Sequence, residues 1–168
     1  DIILYVAGKL GVSGATNAIV EYIGPGTETI SATGKATITN MGAELGATTS
    51  MFPYDDRMAK YLRATHREEL VPIIAQSRDL LTPDSEVLSD PGVHYDQVIE
   101  LDLTTLEPYV VGPHSPDRAR PISSLAEEIV DPANGFVEDI SVALMGSCTN
   151  SSYEDMSRAA DIAEQAKA

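Results

Sequence analysis

The stretch DISVALMGSCTNSSYEDM, residues 139–156, changes character twice along its length. DISVALMG is a near-continuous apolar run, as in a strand buried on both faces of a sheet. GSCTNS is small and polar. Ser, Tyr and two acids then open SSYEDMSRAADIAEQAKA, an alanine-rich segment with hydroxyls and carboxylates where a helix needs acceptors for its first N–H groups. A strand, a short polar loop and a helix form the repeating unit of an α/β sheet. Ligands gather at the carboxyl ends of such strands, beside helix N-termini.

The rest of the chain supports the same class. DIILYVAGKLG has apolar residues at helical spacing, with Gly11 as its stop. AIVEYIG (18–24) and ATTSMF (47–52) read as short strands, and QVIELDL (97–103) alternates cleanly, as a half-buried strand does. Residues 28–45 are ambiguous: they are rich in β-branched residues, yet Ile30, Ile38, Met41 and Leu45 suit one helical face, with Gly46 as a cap. Asp55 is placed to cap a helix over DRMAKYLRAT, and REELVPIIAQSRDLL reads as another helix. The proline-rich EPYVVGPHSPDRARP reads as an extended connector, followed by a short helix over PISSLAEEIV. The expectation is an α/β fold, three-layer α/β/α with a mostly parallel sheet, plus an incomplete second α/β unit. The connector divides it into residues 1–114 and 115–168. A strand, loop and helix with no further strand also suggest a fragment of a longer protein.

Composition narrows the function. The net charge is -15, from 26 acids and 11 bases, and no basic stripe exists to bind phosphates, so nucleic acid is not an expected partner. The acids are dispersed, which suits solubility or a salty surrounding that screens self-repulsion. No stretch approaches the roughly 18 apolar residues of a membrane span. The opening DIILYVAGKL lacks the basic start and cleavage site of a signal peptide, and a lone cysteine makes no internal disulfide. A soluble intracellular protein without a membrane partner is expected.

Two places carry chemistry. Cys148 is the only cysteine, and it stands where a helix N-terminus favours the thiolate that attacks carbon or binds metal. It suits a buried filler, a nucleophile or a ligand. No second Cys and no His-x-x-x-His spacing is present, and His66, His94 and His114 lie in polar or proline-rich segments. A metal site on Cys148 therefore needs ligands from elsewhere. In NMGAELGATTS, Asn40 and Glu44 are four apart, so on a helix they share a face, flanked by Gly42 and Gly46, which let another group approach closely. An amide beside a carboxylate suits acid–base chemistry, polar recognition or a plain solvated face.

Together, NMGAELGATTSMFPYDDRMAKYL (40–62), HYDQVIELDLTTLEPYVVGP (94–113) and MGSCTNSSYEDMSRAA (145–160) resemble the aconitases, in wording closest to the mitochondrial type that also occurs in bacteria. AGKLGVSGATNAIVEYIGPG (7–26) is similar to the opening of the family's second domain. The resemblance covers nearly the whole chain. It implies a hydro-lyase that interconverts citrate and isocitrate through cis-aconitate, using a 4Fe–4S cluster held by three cysteine thiolates. Cys148 matches the first of them, and the other two belong to a later paired-cysteine segment of the family. Glu44 matches an active-site glutamate that handles the hydroxyl or water lost and regained. Asn40, Ser147 and Asn150 fall in the substrate and cluster environment.

The family's substrate-binding arginines, catalytic serine, and histidine and aspartate motifs have no counterpart here, and YDDR (54–57) is more acidic than the usual wording. The resemblance thus implies a piece covering the second domain and the start of the third, inactive alone. Its partners would be a tricarboxylate and the remainder of the aconitase chain, in a bacterial cytoplasm or the mitochondrial matrix. Two alternatives stay open. One is a related hydro-lyase acting on methylcitrate, homoaconitate or isopropylmalate; the other is a non-catalytic stand-alone module.

Overall fold

The computed structural model of the protein describes residues 1–167. Helix α1 (Ile2–Leu10) turns Ile3, Val6 and Ala7 inward, and Gly11 ends it at φ 72° with its N–H on the Ala7 carbonyl. Strands β1 (Ile19–Glu21) and β2 (Thr49–Met51) pair in parallel, with Ile19 opposite Thr49 and Glu21 opposite Met51. A parallel pair needs a crossover rather than a tight turn. Residues 22–48 supply it, and they include helix α2 (Ala32–Asn40). The ambiguous stretch thus resolves into α2 followed by a 3₁₀ turn, Met41–Leu45. Ser31 starts α2 by accepting the Gly34 N–H, and Gly46 ends the turn in the left-handed region at φ 78°.

The core forms where these elements meet. Ile3, Val6, Ala7, Ala15, Ile38 and the fully buried Leu45 make one cluster, ringed by Val20, Tyr22 and Phe52 from the parallel pair. Tyr22 stacks on Phe52 with centroids 4.6 Å apart. Helix α3 (Asp56–Ala64) begins at Asp55, whose carboxylate accepts the Met58 N–H at 3.0 Å. The same carboxylate pairs with Lys35, which is only 2% exposed. Short helices α4 (Leu70–Ala75), α5 (Ser85–Ser89) and α6 (Pro91–His94) follow, none with a buried residue.

Expected mixed α/β character holds, but four segments differ from their reading. QVIELDL has no strand, and its Val98 and Ile99 stay exposed. DISVALMG has none either: Ile140, Val142 and Leu144 are each more than 80% exposed. Both patterns describe how a strand would sit in a sheet, yet a strand exists only through a ladder with a neighbour, and neither segment pairs with one among the described residues. The proline-rich connector, by contrast, folds into an antiparallel hairpin of β3 (Tyr109–Val111) and β4 (Ala119–Pro121). REELVPIIAQSRDLL is helical only over α4, with a 3₁₀ turn at Arg78–Leu81.

The hairpin packs on α1. Ala119 comes so close to Gly8 that a Cβ there would sit 3.0 Å from the alanine's own, and Tyr109 meets Tyr5 edge-on at 5.8 Å. Buried Arg120 bonds the Gly112 carbonyl at 2.6 Å and Glu128 at 2.7 Å, which ties helix α7 (Leu125–Ile129) to the hairpin. The last element among the described residues is α8 (Tyr153–Gln165), as its sequence reads. No described helix is long and apolar enough to cross a membrane.

Candidate functional site

The Asn40–Glu44 segment is held on its inner side and open on its outer side. Gly42 is buried against β2, and a Cβ on it would lie 2.4 Å from the Ser50 hydroxyl oxygen. A Cβ on Gly46 would lie 2.9 Å from the Thr16 hydroxyl. The Ala15 N–H bonds the Leu45 carbonyl at 3.0 Å, and the Ala47 N–H bonds that of Gly42 at 3.1 Å. These contacts leave no room for a side chain at Gly42 or Gly46, while Leu45 between them buries its own in the core. Asn40 and Glu44 are both exposed. Because α2 gives way to a 3₁₀ turn after Asn40, residues three apart eclipse there, and Glu44 is rotated away from strict alignment with Asn40.

Cys148 is free and exposed, on a loop organised by Ser147. The Ser147 hydroxyl accepts the N–H groups of Asn150 at 3.0 Å and Thr149 at 3.3 Å, and the Ser147 carbonyl accepts the Ser151 hydroxyl at 2.6 Å. Helix α8 starts directly after, through a reciprocal cap. The Ser152 hydroxyl accepts the Asp155 N–H at 3.2 Å, and the Asp155 carboxylate accepts the Ser152 N–H at 3.0 Å. Cys148 therefore lies on a loop before a helix, as its sequence context indicates, but the strand expected ahead of that loop is not formed. His66, His94 and His114 are exposed on other segments, and no group of three or more His, Cys, Asp or Glu residues among the described residues could hold a metal ion.

Folding joins these two segments, which lie about a hundred residues apart in sequence. The Thr37 hydroxyl on α2 lies 3.1 Å from the Thr149 carbonyl oxygen and 3.1 Å from the Asn150 side-chain oxygen. One turn earlier, the Thr33 hydroxyl donates to the Glu154 carboxylate at 2.7 Å. Hydroxyls of Ser31 and Thr33, helped by Arg158 at 2.6 Å, hold the Glu154 carboxyl below the usual carboxylate range. The same helix thus leads into the Asn40–Glu44 turn and carries the Cys148 loop.

Sequence reading passed over Thr33, Thr37 and Lys35. Two hydroxyls four residues apart on α2 were a signal for one polar stripe. Lys35 also had one, as the sole cation between Lys9 and Arg57. Neither signal names its partner. Lys35 reaches Asp55 and lies 5.8 Å from the Phe52 ring centroid, so it braces α2 against α3 from beneath.

A model of the aconitase family (aconitate hydratase) matches residues 1–168. The chain is 54% identical over 173 residues to the mitochondrial aconitate hydratase of Schizosaccharomyces pombe, covering 99% of this chain and 20% of that protein. It is 55% identical over 166 residues to a probable mitochondrial aconitate hydratase of Caenorhabditis elegans, with the same coverage. Against the mitochondrial aconitate hydratase of Candida albicans it is 53% identical over 168 residues, 100% of this chain and 21% of that protein. The chain therefore spans about a fifth of the length of these curated relatives.

Proposed function

Because the chain belongs to the aconitase family, we propose that it is one part of an aconitate hydratase, a hydro-lyase that interconverts citrate and isocitrate through cis-aconitate. The observation that carries this reading is the junction on α2, where Thr37 brings the Cys148 loop onto the helix that ends at Asn40 and leads to Glu44. In this reading Cys148 is one thiolate ligand of a 4Fe–4S cluster. The donor set fits one ligand of several: the thiol is free, exposed and on a hydrogen-bonded loop, but it stands alone. The other thiolates then come from the longer protein. When bound, the cluster supplies an iron Lewis acid that polarises the departing hydroxyl.

The chain's own residues supply part of the remaining chemistry, and the base that takes the carbon-bound proton would come from the longer protein. Glu44, exposed above a turn that cannot shift inward, delivers a proton to the departing hydroxyl and takes one back when water returns. Asn40 offers its amide N–H₂ to the same space, where a hydrogen bond to sulfur tunes a cluster. Ser147 holds the shape of the cysteine loop, and Asn150 lines it on the α2 side.

The partners in this reading are a tricarboxylate and the remainder of the aconitase chain. With the β3–β4 hairpin spanning the change at 114/115, residues 1–114 and 115–168 would fall in successive domains of the longer protein. Its three-layer, mostly parallel sheet would supply the ladders that 97–103 and 139–146 lack. The relatives' names support a mitochondrial location; in this reading that is the matrix, or the cytoplasm if the source is a bacterium.

The test is the full-length protein, reconstituted with iron and sulfide. It should convert citrate to isocitrate. Cys148→Ala should abolish both the cluster's visible absorbance and turnover, and Glu44→Gln should cut turnover by about 10²–10⁴-fold with the absorbance intact. Residues 1–168 alone should do neither. Turnover by that chain alone, or a full-length protein that keeps its cluster without Cys148, would overturn the reading; a preference for isopropylmalate would assign it to a sister hydro-lyase.

A further inference from the structure

Helix α8 and the loop before it are attached to the rest of the chain in an unusual way. No residue of α8 is buried, and the apolar residues leading up to it, Ile140, Val142, Leu144 and Met145, are exposed. Hydrophobic packing therefore does not fix this segment. Two hydroxyls of α2, Thr33 and Thr37, make the described side-chain hydrogen bonds that join it to the body of the protein, and the Ser31 hydroxyl at the start of α2 also acts on the Glu154 carboxylate.

Proton counting shows what Thr37 does. Its hydroxyl has one proton, yet it faces three acceptors: the Thr33 carbonyl of its own helix at 3.2 Å, the Thr149 carbonyl at 3.1 Å and the Asn150 side-chain oxygen at 3.1 Å. Turning the Asn150 amide over resolves the conflict. Its N–H₂ then donates to the Thr37 oxygen, and the Thr37 proton goes to the Thr149 carbonyl. Both sides of that two-way contact sit directly after Cys148. The second contact, Thr33 to Glu154 at 2.7 Å, has a carboxylate as acceptor, and hydrogen bonds to charged groups are the stronger kind.

We propose that Thr37 and Thr33 are positioning residues: they clamp the Cys148 loop and the first turn of α8 onto the helix that leads into the Asn40–Glu44 turn, and so set the thiol relative to those two side chains. What the thiol then binds rests on the function proposed above; the clamp does not.

The clamp is tested first in this chain. Thr37→Val keeps the shape and removes the hydroxyl, and Thr37→Ser keeps the hydroxyl and removes the methyl. Losing both hydrogen bonds of the Thr37 contact, each of ordinary strength, should raise amide hydrogen exchange across residues 147–155 by about tenfold to a hundredfold in Thr37→Val. Alkylation of Cys148 by iodoacetamide should change with it, and Thr37→Ser should restore both. Approached from the loop side, Asn150→Ala should give a smaller rise, because the bond to the Thr149 carbonyl remains, and should add nothing to Thr37→Val. Asn150→Ala keeps the test decisive if Thr37→Val folds poorly.

Unchanged exchange and alkylation in Thr37→Val, or a serine variant that behaves like the valine one, would overturn the clamp. In the full-length protein, Thr37→Val should speed loss of iron from the reconstituted cluster, read by the decay of its visible absorbance, and serine should restore it. A raised exchange rate in a full-length protein that takes up no cluster in any variant would leave the clamp standing and remove the proposed function.

Discussion

Removing the charge of Asp55 without removing its cap isolates the buried ion pair. The Asp55 carboxylate holds the Lys35 ammonium and also accepts the first-turn N–H of Met58. The side chains of Lys35 and Asp55 are 3% and 12% exposed, so water screens the pair little. Asparagine caps a helix about as well as aspartate. Asp55→Asn therefore keeps α3 started but leaves the lysine buried beside a neutral amide, and an uncompensated buried charge costs about 3–5 kcal/mol. Asp55→Ala loses the cap as well, for about 1 kcal/mol more. Adding Lys35→Met to Asp55→Asn removes the stranded charge and should recover most of the loss, because an apolar replacement of a whole buried pair is often neutral. Urea unfolding of the four proteins, followed by circular dichroism, measures each term. A loss below about 1 kcal/mol in Asp55→Asn would be the value of an exposed pair. It would refute the claim that Lys35 braces α2 against α3 from inside. So would a double variant no better than the single.

Two other outcomes follow from the same region. Gly42→Ala should destabilise the chain by about 1–3 kcal/mol, because its Cβ would lie 2.4 Å from the Ser50 hydroxyl. Ser50→Ala should be close to neutral alone, since that buried hydroxyl has no hydrogen-bond partner, and should relieve Gly42→Ala in the same urea assay. Glu154 makes the hold on α8 pH-dependent: its carboxyl is held below the usual range by Ser31 and Thr33, so its contribution is present above the unfolded value of about 4.3 and is lost as pH falls through the folded value. Protection of α8 amides should accordingly drop in acid, and Glu154→Gln should flatten that profile.

How far the sequence could be read depended on how local the cause was. Asp55 and Ser152 start helices through bonds to N–H groups three residues on, and Gly11 and Gly46 end theirs through backbone angles that glycine adopts freely. Each cause and its effect lie within one turn, so the residues alone announce them. The strands β1 and β2 were legible for a related reason, since their apolar faces flank one crossover. QVIELDL and DISVALMG carry equally good strand patterns, but a pattern supplies only half of a ladder. The hairpin in the proline-rich segment shows the reverse case, a weak local pattern completed by a partner ten residues away and by the floor of α1.

The candidate site divides along the same line. By itself the sequence determined the residue types, the small-residue frame around Glu44, the loop-then-helix context of Cys148 and the family wording that ties them together. Tertiary structure alone decided that Lys35 would meet Asp55, that Ser50 would close the space under Gly42, and that Thr37 would reach the loop after Cys148. Those contacts depend on how helix α2 is rotated against the core, and Ile38 and Leu45 set that rotation by burying themselves with α1. A side chain's partner across such an interface is a consequence of packing, which no local run of residues encodes.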